Sequence, residues 1–314
     1  PMFVLTEGLG RKMRPLAVMF AFCALFSGLP VMQANQLSES LYSVILEPLG
    51  VPESRWVFLV IGLVIGGIVS LVIFGGIKRI TQVSSKLVPI MVGFYFLMVL
   101  GIMIVYHDRL PAMFESIFEG AFCWKAGFGA LAAVALTGAR RAMFVNEAGV
   151  GTAGMMHGAS MNAEPVREGL VAMLGPAIDS GLVCTLSAIP MIMAGLYSTD
   201  SIEGLTIALN TYDTLIPFAG RYLLEFVVII FAFSTMFSYS YYGTMCTSYL
   251  WGTRHAQKYR YFYVATIVLA SVITLDVAVS IMDLAFALMA FPNMIAVFAL
   301  SPKVMKEARR FFYD

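Results

Sequence analysis

Asn146, Glu147, Gly149 and Gly151 fall in a stretch reading AMFVNEAGVGTAG over 142–154, between apolar runs at 128–136 and 170–197. An amide, a carboxylate and repeated glycines do not propagate an apolar helix. In hydrocarbon every backbone N–H and C=O needs an internal partner. Irregular backbone therefore persists only where protein buries it or a cavity faces it. A membrane helix interrupted here offers free backbone groups and a charge, the chemistry of a solute or ion site.

Other polar residues sit in apolar surroundings, each with a bland alternative. Gln33, Asn35 and Gln36 follow Pro30, whose missing N–H weakens the helix locally and frees carbonyls near the amides. They suit the polar end of a small solute or simple helix–helix glue, and the residues alone do not choose between the two. Ser234 and Thr235, in FAFST, offer adjacent hydroxyls that fit a hard cation such as Na⁺. On the residues alone, back-bonding to the preceding turn is the commoner role for such hydroxyls. Tyr239, Ser240, Tyr241, Tyr242 and Gly243 form either an interfacial aromatic belt or a wall facing the solute. Asp179 and Asp276 are carboxylates within spans, either an ion relay or hydrogen-bond caps to neighbouring backbone, the structural role being preferred, while His157 and Glu164 fall in a solvated inner loop.

Enzyme chemistry finds no support. The sequence contains no HExxH, no GxSxG and no phosphate-cradling glycine loop. An aspartyl dyad would need Asp179 and Asp276 in glycine-rich flanks, which AIDSG and TLDVA do not supply. Cys23, Cys123, Cys184 and Cys246 stand singly, with no metal or disulfide spacing.

The elements that must position these groups are membrane helices. Hydrophobic residues make up 60% and charged residues 12% of the 314, with mean hydropathy +0.84. Apolar segments recur at 16–37, 56–77, 87–106, 128–144, 170–197, 222–250, 261–282 and 284–300, most of them near the roughly 20 residues that span a bilayer. The fourth and last are shorter, interrupted by Gly129 and Gly138 and by Pro292. Eight alternating spans with both ends cytoplasmic place 16 of the 20 Lys and Arg on the inner side and leave Arg55, Arg109, Lys125 and Arg221 outside. The net charge of +1 thus hides a strong sidedness and gives no reason to expect nucleic acid. The partners are a lipid bilayer and a small solute, with a prokaryotic inner membrane the simplest setting. The opening PMFVLTEG carries no initiator Met and reads as the middle of a longer protein, an N-terminal truncation.

FVNEAGVGTA (144–153), His157 and PVREGLVAMLGPAID (165–179) together resemble the alanine/glycine:cation symporter family. The likeness runs through VMQAN (31–35), GGIKRI (75–80), KLVP (86–89), FAFST and SYYG (231–243) and ALMAFPN (287–293), covering essentially the whole chain in order. It implies an all-α polytopic membrane protein of the leucine-transporter-type inverted-repeat fold. Core helices three to ten would be the eight spans, the first core helices missing, with 1–127 the remainder of the first repeat and 128–314 the second. It implies symport of alanine or glycine with Na⁺, H⁺ being the alternative coupling ion.

Carried over position by position, the resemblance puts Gln33, Asn35, Phe144, Asn146, Glu147, Gly149 and Tyr239 at the substrate. It puts Ser234 and Thr235 at Na⁺, reversing the odds on that pair. The chain departs from the family pattern at Val145 (Ser), Ala142 (Gly), Tyr239 (Trp) and Ala133 (Gln). Transport of another cargo, H⁺ coupling through Glu147 or Asp179, and a non-transporting remnant are the competing readings.

Overall fold

A computed structural model of the chain describes residues 1–121, 127–145, 147, 149–196, 204–273 and 276–313. Among these residues the structure is helical throughout, without strands. Six helical stretches are long and apolar enough to cross a membrane: Arg11–Leu46, Arg55–Ile73, Gly76–Val105, Pro165–Ala194, Gly220–Trp251 and Val279–Tyr313. The eight segments read from hydropathy differ from these six for identifiable reasons.

The first span is two helices end to end, α1 (Arg14–Ser27) and α2 (Val31–Leu41). Gly28 closes the first, and Pro30, which has no N–H to give, precedes the second. Next come α3 (Arg55–Ile73), α4 (Gly76–Val105), the shorter α5 (Leu110–Ala121) and α6 (Gly127–Val145). The last coincides with the predicted fourth span but is not one of the six. After the break come α7 (Ala153–His157) and α8 (Pro165–Pro176), which continues through a wide π turn at Ala177–Val183 into α9 (Cys184–Ala194). Then follow α10 (Leu205–Leu215), α11 (Gly220–Trp251), α12 (Thr253–Ala270) and α13 (Asp276–Tyr313).

The end of the chain corrects the hydropathy reading. The seventh and eighth apolar runs were divided at 283, but the helices divide between Ala270 and Asp276. Asp276 therefore opens α13 rather than lying mid-span. Pro292 does not interrupt the last span: α13 runs through Pro292 and Pro302 for 38 residues. The first half of α12, carrying Arg254, Lys258 and Arg260, is too polar to count as a span.

Packing centres on α11. Other helices cover much of it, and it buries Ser234, Met236, Phe237, Tyr239, Tyr242 and Cys246. Partners touching it include α1, α2, α3, α4, α10 and α12. Around it α1 pairs with α13 and α3 with α12. The α3–α12 seam is close because Gly62 and Gly66, one turn apart, present bare backbone to Val264, Val268 and Ser271. Leu71, Leu97, Ile104 and Trp56 face outward, and lipid is the solvent that accepts such a surface.

Polar side chains bolt helices together. Ser40 Oγ donates to buried Glu225 at 3.1 Å, and Arg221 donates to Ser43. The loop read as merely solvated is organised: the Glu168 carboxylate accepts from His157 Nδ1 (2.7 Å), Ser160 Oγ (2.7 Å) and Asn162 Nδ2 (3.2 Å), while Glu164 accepts from Arg310 (2.9 Å).

A Cβ at Gly243 would lie 2.1 Å from the Tyr259 hydroxyl, on a ring buried between α11 and α12. A Cβ at Gly67, on α3, would meet open space. Gly243→Ala should therefore destabilise the protein by about 1–3 kcal/mol, the usual cost of overpacking. Gly67→Ala should not, and thermal unfolding in detergent reads the difference.

Candidate solute and ion site

A cavity of about 670 Å³ opens between α2, α4, the end of α6, the π turn, α9 and α11. Most of its wall is apolar, with a few polar groups that fix orientation, the usual composition of a small-molecule site. Gln33, Glu147, Ser234, Thr235 and Tyr239, singled out from the sequence, all stand on this wall.

The break beside it is formed as the residue types demand. α6 stops at Val145 and α7 begins at Ala153. Between them Glu147 (φ 52°), Gly149 (φ 81°) and Gly151 (φ 102°) occupy the left-handed region, which glycine enters freely and a carboxylate residue rarely does. Glu147 projects toward Tyr239, Tyr242 and Thr152 as well as the cavity, and with them lines a smaller pocket reaching Ser27 and Phe286. Three hydroxyls around one carboxylate supply the partners that such a group needs within a membrane.

Ser234 Oγ and Thr235 Oγ1 both donate to the Phe231 carbonyl, at 2.9 and 3.0 Å. That is the back-bonding alternative, and it does not end their usefulness. A hydroxyl whose hydrogen is spent on backbone has only lone pairs left for the cavity, and lone pairs are what a hard cation takes. Gln33 Oε1 is buried and has no hydrogen-bond partner.

Other predicted residues lie elsewhere. Asn35 is 4% exposed and turned away from the cavity. Its Nδ2 donates to the carbonyls of Ala270 (3.3 Å) and Ile273 (2.9 Å), tying α2 to the end of α12. It is helix–helix glue. Gly149 shapes the break without lining the cavity, and its carbonyl accepts from Asn293 Nδ2 at 2.9 Å. Asn146 lies outside the described residues, as does the side chain of Phe144.

The structure resolves one choice left open by the sequence and adds residues that sequence reasoning passed over. Asp179, read as structural, stands on the cavity wall, on the π turn. A wide turn rotates the helix face by an amount that no apolar pattern records. Glu147 and Asp179 are the only ionisable acids among the described lining residues, and no Lys, Arg or His joins them. Tyr95 and Ser187 also line the cavity and begin a hydroxyl chain: Tyr212 donates to Tyr95 (3.1 Å), Tyr95 to Ser187 (2.7 Å) and Ser187 to the Val183 carbonyl (2.8 Å). The chain links the cavity to α10. Nothing in the sequence pairs residues so far apart.

A broken helix, a polar-spotted cavity at its end and an otherwise apolar bundle define the class: a membrane transporter. The sodium:alanine symporter family model matches residues 1–314, and the chain belongs to that family. It is 33% identical over 320 residues to the sodium/alanine symporter AgcS of Methanococcus maripaludis, covering 99% of this chain and 68% of that protein. It is 30% identical over 322 residues to an uncharacterized transporter of Haemophilus influenzae, with 99% and 68% covered. A sodium/proton-dependent alanine carrier protein of Bacillus sp. strain PS3 is 27% identical over 314 residues, with 93% and 67% covered. The chain thus spans about two thirds of the length of these relatives.

Removing the Asn35 amide takes a donor from the buried Ala270 carbonyl at the end of α12 and from the part-buried Ile273 carbonyl just beyond it. Asn35→Ala should cost about 1–3 kcal/mol of stability and leave occupancy of the cavity unchanged. Gln33→Ala should do the reverse. Thermal unfolding compared with solute binding separates the two.

Proposed function

We propose that the cavity is the solute path of a symporter that carries a small neutral amino acid, alanine or glycine, inward with Na⁺ across a prokaryotic inner membrane. On this reading the helices adopt the leucine-transporter-type arrangement, with both ends of the chain cytoplasmic. The observation that carries the proposal is the charge of the wall: Glu147 and Asp179 with no basic partner among the described lining residues, beside the Ser234 and Thr235 hydroxyls. Such a wall suits the ammonium end of an amino acid, through Glu147 and the unpartnered Gln33 Oε1. It offers nothing cationic to the carboxylate end. Na⁺ at Ser234 and Thr235 supplies that missing charge, so solute and ion each improve the site for the other. Reciprocal coupling of this kind is typically worth about 1–3 kcal/mol. The names of AgcS and the strain PS3 carrier point the same way.

A second reading, H⁺ in place of Na⁺, draws on the same two carboxylates and on the sodium/proton-dependent name of the strain PS3 relative.

Cys184 gives a direct test. It is exposed on the cavity wall, whereas Cys23 and Cys246 are buried. With Cys123→Ser in the background, a polar thiol reagent should label Cys184, and alanine or glycine should slow labelling when Na⁺ is present. Replacing Na⁺ by K⁺ should abolish protection. Ser234→Ala combined with Thr235→Val should raise the Na⁺ needed by about tenfold, or ~1.4 kcal/mol. Equal protection with and without Na⁺ sinks the Na⁺ assignment, and protection that follows pH alone selects H⁺.

A further inference from the structure

Asn293 lies in the middle of α13, directly after Pro292 and 144 residues from the carbonyl it binds. Its Nδ2 donates to Gly149 O at 2.9 Å, and a Cβ at Gly151 would fall 2.6 Å from its Oδ1 and 2.7 Å from its Cγ. One amide thus satisfies the first glycine of the break and fills the space left by the second. Both glycines hold positive φ, so neither carbonyl direction is set by a regular helix. The same α13 meets the following segment twice more: Arg310 donates to Glu164, and the Arg167 guanidinium stands 5.9 Å from the centre of the Phe311 ring. These outer contacts are exposed and individually weak. The contact at the break is also exposed, but it meets a backbone group that has no helical partner.

We propose that Asn293 is a positioning residue for the cavity: by fixing the backbone between Glu147 and Thr152 it sets where Glu147 stands on the wall. Its effect on solute rests on the transport reading above; its effect on the backbone does not.

The test uses the full chain in lipid nanodiscs with Asn293→Asp, which keeps the size and loses the donor, alongside Asn293→Ala and Asn293→Gln. Amide hydrogen exchange at 149–152 should rise about tenfold in the Asp and Ala variants, with partial recovery in Gln and no change along α1 or α3. The alanine concentration that half-protects Cys184 should rise at least about tenfold, while labelling without solute stays within about twofold of wild type. Should Asn293→Asp fail to fold, Asn293→Ser, whose hydroxyl is too short to reach Gly149, takes its place. Unchanged exchange at 149–152 overturns the proposal. Faster exchange there with unaltered protection overturns it too, as does faster exchange spread evenly over α1, α3 and α13, which would mean general loosening. If no small amino acid protects the wild type, the transport reading falls and the exchange result alone decides the role of Asn293.

Discussion

Every feature around the cavity depends on one constraint: a backbone carbonyl or N–H in hydrocarbon must find a partner inside the protein. Between Val145 and Ala153 the regular ladder stops: the Val150 and Gly151 N–H groups turn back to the Glu147 carbonyl, and another element meets Gly149. α13 reaches across with Asn293, and glycines take the φ values that let the chain turn. The α1–α2 junction answers the same constraint with fewer parts. Pro30 has no N–H to satisfy, and the Gly28 N–H is taken by the Ala24 carbonyl. The two interruptions account for much of the polar wall: Glu147 stands in one of them, and Gln33 one turn beyond the other.

A second consequence is electrostatic. α11 places two back-bonded hydroxyls and two tyrosines opposite an acid at the break, with a further acid on the π turn. In a low-dielectric bundle unbalanced acids are costly, so they persist where a mobile cation visits or a ring of hydroxyl donors surrounds them. Glu147 has the hydroxyls, whereas Asp179 faces the open cavity.

Much of this was legible in the residues. The break announces itself because Asn, Glu and Gly cannot continue an apolar helix, and FAFST because two hydroxyls interrupt an apolar run. Family likeness then sorted the candidates and reversed the odds on Ser234 and Thr235. What escaped were matters of rotation and pairing. Asn35 and Gln33 are two residues apart on one helix, so they point to different faces, and composition does not say which face meets the cavity. Hydropathy also misplaced the division between α12 and α13. Apolar residues continue past the end of one helix into the next, while the backbone turns where hydrogen bonding stops, near Ser271. Asp179 was visible as a charge in a span, but its direction is set by a π turn that leaves no mark in the apolar pattern.

The hydroxyl chain from α10 to the cavity carries a polarity that its distances alone do not state. The Val183 carbonyl can only accept, so Ser187 must give its hydrogen there. Ser187 must then accept from Tyr95, and Tyr95 from Tyr212. Each rotor is dictated by its neighbour, and all three point one way. A ligand that turned the Ser187 hydrogen from the Val183 carbonyl toward Tyr95 would reverse the whole row, so an event on the cavity wall can be felt at α10 as a change in hydrogen direction, with no heavy atom displaced.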